Sequence, residues 1–506
     1  MTQTLKVPLQ VAHPGGLPGS KPREPCTMVI LGATGDLART KLLPSLLHLA
    51  GDDLLPEGFA ILGVGRQKLT DEEFRTSVRA SLPSVDNRWG GFAHRLSYLP
   101  VELDDGTGYR AIADRIAEIE GREARRRGRL FYLALPPSVY PETIRGLSET
   151  GALPRREADD PRWARVIIEK PYGRSETSAR ELTRLVRRAV AEHQIYRIDH
   201  FLGKETVQNL LVFRFANSIF EPVWNRTYIE SVRIRAAEVN GIGSRAGYYE
   251  EAGVVRDMFQ NHLLSLLSLV AMEPPARFSA EPVRDEKAKV LNAIRRLRKK
   301  DVGEHAVRGQ YGPGTVDGSP VPGYREERGV APASNTPTWA AIRLWIDNWR
   351  WEGVPFVLCS GKRLAGRSTE ITITFRRPPH LLFPVPNPQH DAPNELVFRI
   401  QPDEGMSICF EIKTPGAEIE TTSATMDFSY AESFGSAGHE AYETLLLDGM
   451  MGDPMLFLRS DATEAAWQVV DPIITAWEAS TATDFPNYPA GSWGPETPFA
   501  LTPKKS

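Results

Sequence analysis

The nine residues Arg197 to Glu205, RIDHFLGKE, bring Asp199, His200 and Lys204 within a few positions of one another. They follow QIYRI, which reads as a short strand. A carboxylate, an imidazole and an ammonium at a strand's end suit a small anionic substrate that loses a proton. Such a reaction needs a base and, if it is an oxidation, an electron acceptor.

A second polar cluster supplies a candidate base. Asp257, Gln260, Asn261 and His262 stand at the entrance to the apolar run LLSLLSLV. A lone histidine in such a place is more often a satisfied core residue than a base, and this stretch alone leaves both readings open. Buried polar groups without partners are costly, so a dense network or a ligand is expected around these four.

The electron acceptor has its own signal. Gly32-Ala-Thr-Gly-Asp-Leu-Ala38 follows a buried strand and opens a helix. Gly32 permits a tight turn, Gly35 lets a backbone approach a pyrophosphate, and Ala38 allows close helix–strand contact. Thr34, Asp36 and Leu37 fill the same turn and join the two glycines as expected cofactor contacts. The spacing departs from G-x-G-x-x-G, and a plain turn would also explain two close glycines. At the end of the second strand, where NAD-binding units usually carry an acid, this chain has Arg66. A guanidinium offers a fork to a 2′-phosphate, and Arg39 in the first helix adds a second cation. NADP is therefore favoured, with some NAD use left open by Gln67; solvated surface arginines are the competing reading. Glu169-Lys170-Pro-Tyr-Gly173 ends another buried strand. Lys170 there can reach both substrate and cofactor, and its bond to Pro171 is a candidate cis peptide; taken alone, the stretch reads more readily as a lysine in an ordinary turn.

Elements of two textures must position these groups. From Thr27 to about Ile198, apolar runs (TMVIL, FAILGV, LFYLAL, VII) alternate with helical stretches. Ser175 to His193 reads as a helix with Leu182, Leu185, Val186, Ala189 and Val190 on one face. This alternation argues for a parallel, doubly wound sheet. From about Val232 onward, TEITITF and MSICFEI alternate polar and apolar, as in antiparallel strands with one wet face. Helices are expected at His262–Val270 and Ala462–Ala476, and surface loops at Gly312–Pro337 and His380–Pro393. The expected fold is thus α/β followed by α+β. Residues 1–25 read as a flexible leader, 26–200 as the dinucleotide-binding domain, and 201–506 as an α+β substrate-binding and oligomerisation domain. The tail after Asp484 has no assigned place.

Composition bounds the function. A chain of 506 residues is too long for one ordinary core. With 41% hydrophobic and 25% charged residues the balance is globular, and a net charge of -3 gives no general attraction to nucleic acid or anionic membrane. Three widely spaced cysteines make neither a zinc spacing nor a disulfide framework, so a reducing cytoplasm is expected. No apolar run reaches transmembrane length, and Met1 to Pro25 lacks the apolar core of a signal peptide.

The residues as a set resemble one family. GATGDLA, EKPYG, RIDHFLGKETVQNLLVFRFAN, RDMFQNHLL, VRDEKAKVL, GVPFVLCSGKRL and FLRSD occur in the order seen in glucose-6-phosphate dehydrogenases. The resemblance extends from Met28 to about Trp477. It implies an N-terminal Rossmann-like domain and a C-terminal domain with a large, mostly antiparallel sheet plus helices. It also implies oxidation of glucose 6-phosphate to the 6-phosphogluconolactone, with hydride transfer to NADP and no metal, as the first step of the oxidative pentose phosphate pathway. His262 matches the general base and Asp199 the carboxylate that orients it. His200 and Lys204 match phosphate ligands, and Lys362 and Arg367 further cationic contacts. Glu238 and Asp257 match acceptors for sugar hydroxyls, Gln401 another substrate contact, and Lys170 a lysine touching both ligands. A homodimer or homotetramer is implied, formed through the large sheet.

One departure stands out. The family usually has tyrosine after the DH pair, and this chain has Phe201. A hydroxyl to the phosphate is then missing. Animal members also bind a second, structural NADP, but the tail here diverges and that site is not expected. Two other functions compete: a dehydrogenase of an unphosphorylated aldose, and a non-catalytic dinucleotide-binding assembly protein. The cations His200, Lys204, Lys362 and Arg367 argue against the first, and intact Asp199 and His262 against the second.

Overall fold

The computed structural model describes residues 3–5, 22, 24–82, 88–103, 106–123, 127–158, 160, 162–380, 382–383, 393–416, 419–434 and 440–496. A short edge strand, β1 (Gln3–Leu5), comes first. Six parallel strands then form one sheet: β2 (Cys26–Leu31), β3 (Ala60–Gly65), β4 (Leu96–Pro100), β5 (Gly128–Leu133), β6 (Ala164–Ile168) and β7 (Ile195–Arg197). Their order is β4-β3-β2-β5-β6-β7. Every residue of β2 is buried, because helices cover both faces of the sheet and leave no wet side for polar residues. The order reverses between β2 and β5. Ligands of such sheets bind outside the carboxyl ends of the strands at that point.

The helix expected over Ser175–His193 runs from Glu176 to Ala189. The Ser175 hydroxyl caps it by accepting from the Ser178 amide. Val190 is extended, at φ -133° and ψ 156°, so the helix ends there and a turn at Glu192–Gln194 leads into β7.

Among the described residues the second sheet has nine strands. At its centre Ile229–Ala237 lies between Ser368–Phe375, antiparallel, and Phe356–Gly361, parallel. Glu395–Gln401, Gly405–Lys413 and Thr421–Ser429 extend one side; Trp339–Leu344 and Ala306–Gly309 extend the other. Val232, Ile234, Ile371 and Ile373 face a core shared with the helices Glu205–Phe215, Leu264–Ala271, Ala280–Ala293 and Ser460–Glu478. The helix Ala441–Met451 returns to the first sheet, where Leu445, Leu446 and Met450 join its core.

Several expectations are corrected. The leader is not wholly irregular, since β1 pairs in parallel with Ala424–Met426; most of residues 1–25 lie outside the described residues. Gly312–Pro337 is not simply a surface loop. It contains a hairpin, Gly314–Val316 with Ser319–Val321, and Tyr324 within it is fully buried against Tyr311 and Tyr249. The tail has a place too: Tyr488–Pro489 pairs with Tyr311–Gly312, and Arg235 lies over the Trp493 ring. Most of His380–Pro393 lies outside the described residues.

Candidate active site

The strand β7 delivers Asp199 and His200 to the space between the two sheets. From the other side, Gly253, at φ +57° and ψ 179°, breaks the helix that begins at Ala246. The chain then winds as a wide π-helix over Val255–Leu263 before tightening into Leu264–Ala271. The helix expected over His262–Val270 is therefore this wide segment at its start. Such widened turns recur at functional sites. Here one carries Asp257 and His262, both facing a cavity of about 440 Å³.

Asp199 and His262 meet there. His262 Nδ1 lies 2.5 Å from Asp199 Oδ1, and the two residues are each 1% exposed. A carboxylate can only accept, so Nδ1 carries the proton and Nε2 keeps its lone pair. The Phe201 amide also donates to Asp199 Oδ1, at 3.1 Å. Burial opposes charge on Asp199, but the adjacent His262 outweighs it and holds the carboxyl well below the usual range. His200 packs edge-on against His262, with centroids 4.7 Å apart. Burial, and then the neighbouring His262, push the His200 imidazole well below its ordinary value. Asp199, His200 and His262 offer three ligand-type atoms within 4.8 Å, a grouping that the sequence spacing does not show. Two of these residues are already joined by the Asp199–His262 hydrogen bond.

Facing this pair is a network of alternating charge. Lys170 Nζ donates to Asp257 Oδ1 at 2.9 Å and to its carbonyl at 3.0 Å. Its bond to Pro171 is cis. Lys362 Nζ donates to Glu238 at 2.6 Å and lies 3.8 Å from Asp257. Burial opposes charge on Asp257, but Lys170 and then Lys362 keep its carboxyl far down. At the far wall Arg367 donates to the Gln401 side chain at 3.3 Å. Gln401 in turn donates to Thr369 at 2.9 Å.

Of the residues singled out from the sequence, Lys170, His200, Glu238, Asp257, His262, Arg367 and Gln401 line the cavity. Asp199 lies behind His262. Lys362, 2% exposed, sits one layer back and orients two lining carboxylates. Lys204 begins the helix Glu205–Phe215 and lies 3.9 Å from Glu404, close enough to Arg367 to feel its charge. Burial lowers its ammonium below the ordinary value, with Glu404 opposing.

Further residues in the wall and just behind it carried no signal in the sequence. Asn240 comes from the loop after Ile229–Ala237, and Arg245 from the short 3-10 turn Gly243–Arg245 that follows it. The Tyr248 hydroxyl donates to Asp257 at 3.3 Å. Tyr442, from the helix that returns to the first sheet, lies parallel to His200 at 6.2 Å and donates to Glu169 at 3.1 Å. Only the expectation that Asp257 needs partners pointed towards this shell.

The turn after β2 fits a dinucleotide. Gly32 has φ +88°, and a Cβ there would collide with the Ala134 carbonyl. The Gly35 amide donates to Gly32 at 2.9 Å, closing the turn from which the helix starts at Asp36 and Leu37. The Thr34 side chain lies against Gly65 at the end of β3. Arg66 follows, exposed. Arg39 donates to Ser77 at 3.1 Å, on the helix Asp71–Ser81 that follows β3, so the two arginines come from adjoining elements.

Comparison with known proteins agrees with this architecture. The family model described as "Glucose-6-phosphate dehydrogenase, NAD binding domain" matches residues 29–209. The model for the C-terminal domain of the same family matches 211–506. A glucose-6-phosphate 1-dehydrogenase of Aggregatibacter actinomycetemcomitans is 46% identical, covering 95% of this chain and 96% of the relative. That of Chlamydia pneumoniae is 42% identical, with 96% of each covered. A solved glucose-6-phosphate dehydrogenase in complex with its substrate glucose-6-phosphate superposes with a TM-score of 0.84 at 36% identity, over 95% of this chain and 96% of that one. The enzyme of Mycobacterium avium gives 0.78 at 35%, over 94% and 95%. The chain belongs to the glucose-6-phosphate dehydrogenase family.

Proposed function

We propose that this protein oxidises D-glucose 6-phosphate to 6-phospho-D-glucono-1,5-lactone, the first step of the oxidative pentose phosphate pathway. NADP, when bound, supplies the hydride acceptor. The observation that carries this reading is the buried Asp199–His262 pair opening onto a cavity with cations on its walls.

His262 Nε2 takes the proton of the anomeric hydroxyl while Asp199 holds the ring and balances the imidazolium that forms. Loss of that proton drives out the hydride from the anomeric carbon. A hemiacetal needs only these two removals, so the residues do not have to hold a metal. His200, Lys204 and Arg367 bind the phosphate, with Lys362 supporting. Glu238 and Asp257 accept from sugar hydroxyls, Gln401 adds a polar contact, and Lys170 stands between sugar and cofactor. The turn Gly32, Thr34, Gly35, Asp36 and Leu37 holds the pyrophosphate. Arg39 and Arg66 take the 2′-phosphate, which favours NADP and leaves residual NAD use.

No helix among the described residues is long and apolar enough to cross a membrane, and we place the enzyme in the cytoplasm. Homo-oligomerisation through the large sheet is supported by Met426, 45% exposed, on a strand beside the half-buried Ile408. Steady-state turnover of glucose against glucose 6-phosphate, with NADP and NAD, tests the function. A kcat/KM equal for both sugars would overturn it, because the cations would then serve no phosphate.

A further inference from the structure

Three of the sequence motifs hold residues to which the mechanism gives no task. Arg197 opens RIDHFLGKE, Tyr172 belongs to EKPYG, and Leu458 and Ser460 belong to FLRSD. The fold brings them to one place. Arg197 is 2% exposed and Tyr172 5%. The Arg197 guanidinium forks onto Glu192, donating to Oε1 at 2.6 Å and to Oε2 at 3.2 Å. It also lies over the Tyr172 ring, 4.5 Å from the centroid, and donates to the Tyr172 hydroxyl at 3.4 Å. From FLRSD, the Ser460 amide donates to Glu192 at 2.9 Å and the Leu458 amide to the Arg197 carbonyl at 3.0 Å. Trp467, on the helix Ser460–Glu478, donates to the Tyr172 carbonyl at 2.9 Å.

These contacts bear on the active site through the chain. Lys170 stands two residues before Tyr172, and Asp199 two residues after Arg197. β6 and β7 pair side by side as far as Ile168 with Arg197, and the Ile198 amide donates to the Ile168 carbonyl. Past that point one chain turns through Lys170 and Pro171 while the other runs on to Asp199. The contact of Arg197 with Tyr172 ties the two chains together again beyond their last paired residues. A buried ion pair seldom stabilises a fold more than apolar residues of like volume would. What the Arg197–Glu192 pair adds is direction: a planar guanidinium held by two bonds to one carboxylate lies over the tyrosine ring in a fixed orientation.

We propose that Arg197 is a positioning residue: clamped by Glu192 and laid over Tyr172, it sets where Lys170 stands relative to the Asp199–His262 pair. The alignment of sugar, cofactor and base then depends on a contact that none of them touches. This rests on reading Lys170 and the Asp199–His262 pair as the reacting site.

The test combines Arg197→Met with Glu192→Gln, so that no charge is left buried alone and the variant should fold. Its kcat for glucose 6-phosphate should fall by about tenfold or more, with the KM values for sugar and NADP within about threefold of the parent, because misalignment is felt as the transition state forms. A folded variant with kcat within about twofold of the parent, or with its loss confined to KM, overturns the proposal. Should that variant not fold, Tyr172→Leu keeps the Arg197–Glu192 pair and removes the ring beneath it; the same criteria apply. Adding Tyr172→Leu to the first variant should cost no more than about a further twofold, since both changes break one link, and multiplied losses overturn the proposal. A crystal structure of either variant reads the link without turnover. The separation of Lys170 Nζ from the Asp199 carboxylate should change by about 1 Å or more, and an unchanged separation overturns the proposal. A parent that fails to turn over glucose 6-phosphate would tell against the reading of the site and leave this structural arm to decide on Arg197.

Discussion

The Phe201 ring stacks on the His262 imidazole, with centroids 4.3 Å apart and planes inclined by 28°. Phe201 is 3% exposed, yet it forms part of the cavity wall. His262 is thus held by Asp199 at one nitrogen, by Phe201 on a face and by the His200 ring close by. The residue that departs from the family pattern is in contact with the base itself.

Phe201→Tyr keeps that stack and adds a hydroxyl at the cavity wall. A hydrogen bond to a charged group contributes about 1.5–3 kcal/mol, so KM for glucose 6-phosphate should fall by about tenfold or more, with kcat little changed. Initial-rate kinetics on the two proteins measure this. An unchanged KM would show that Phe201 stands clear of the phosphate.

His262→Ala removes the base and leaves the turn at Gly32–Gly35 intact. General base catalysis contributes roughly 10²–10⁴-fold, so kcat should drop by that factor. NADPH binding, followed by fluorescence titration, should be unchanged. Activity retained within a few-fold would refute the assignment.

How much of this was legible in the sequence depends on the range of each contact. The strands of the first sheet were, because a sheet covered on both faces needs continuous apolar runs such as Cys26–Leu31. The Asp199–His262 pair was not legible from spacing. Sixty-three residues separate them, and only the family resemblance and the cost of burying His262 joined the two. Lys362 shows the limit best. Its neighbours in the chain say nothing of Glu238 or Asp257, and its carbonyl accepts from Tyr488 in a tail that had no assigned place. The π-helix at Val255–Leu263 was hidden for another reason: its widening comes from the break at Gly253 and from packing, not from a period in the sequence.

Arg66 gives a cofactor prediction. It is exposed at the end of β3, beside the turn that begins at Gly32. Arg66→Ala removes a fork for the 2′-phosphate, so KM for NADP should rise about tenfold while KM for NAD stays within twofold. A parallel rise for both cofactors would place Arg66 away from the 2′-position.

Stability carries its own pH signature at Asp448. This residue stands in the last turn of the helix Ala441–Met451, and its carbonyl accepts from the Gly452 and Asp453 amides. Burial, and then the nearby Asp453 charge, push the Asp448 carboxyl up to about 7. In an unfolded chain the same group titrates near 3.9. Between those values the folded protein holds a proton that the unfolded chain has released. The folded pKa is raised, so the contribution is fully present below about pH 4 and is lost as pH rises through about 7. Asp448→Asn stays neutral at every pH and escapes that loss. Its Tm should exceed the parental Tm by a margin at least about 1 °C larger at pH 8 than at pH 5, read by scanning fluorimetry on both proteins. Every other titrating group is common to the two proteins and cancels in the difference. A margin that is the same at both pH values would mean that Asp448 is ionised in the folded state throughout, with Asp453 too far away to matter.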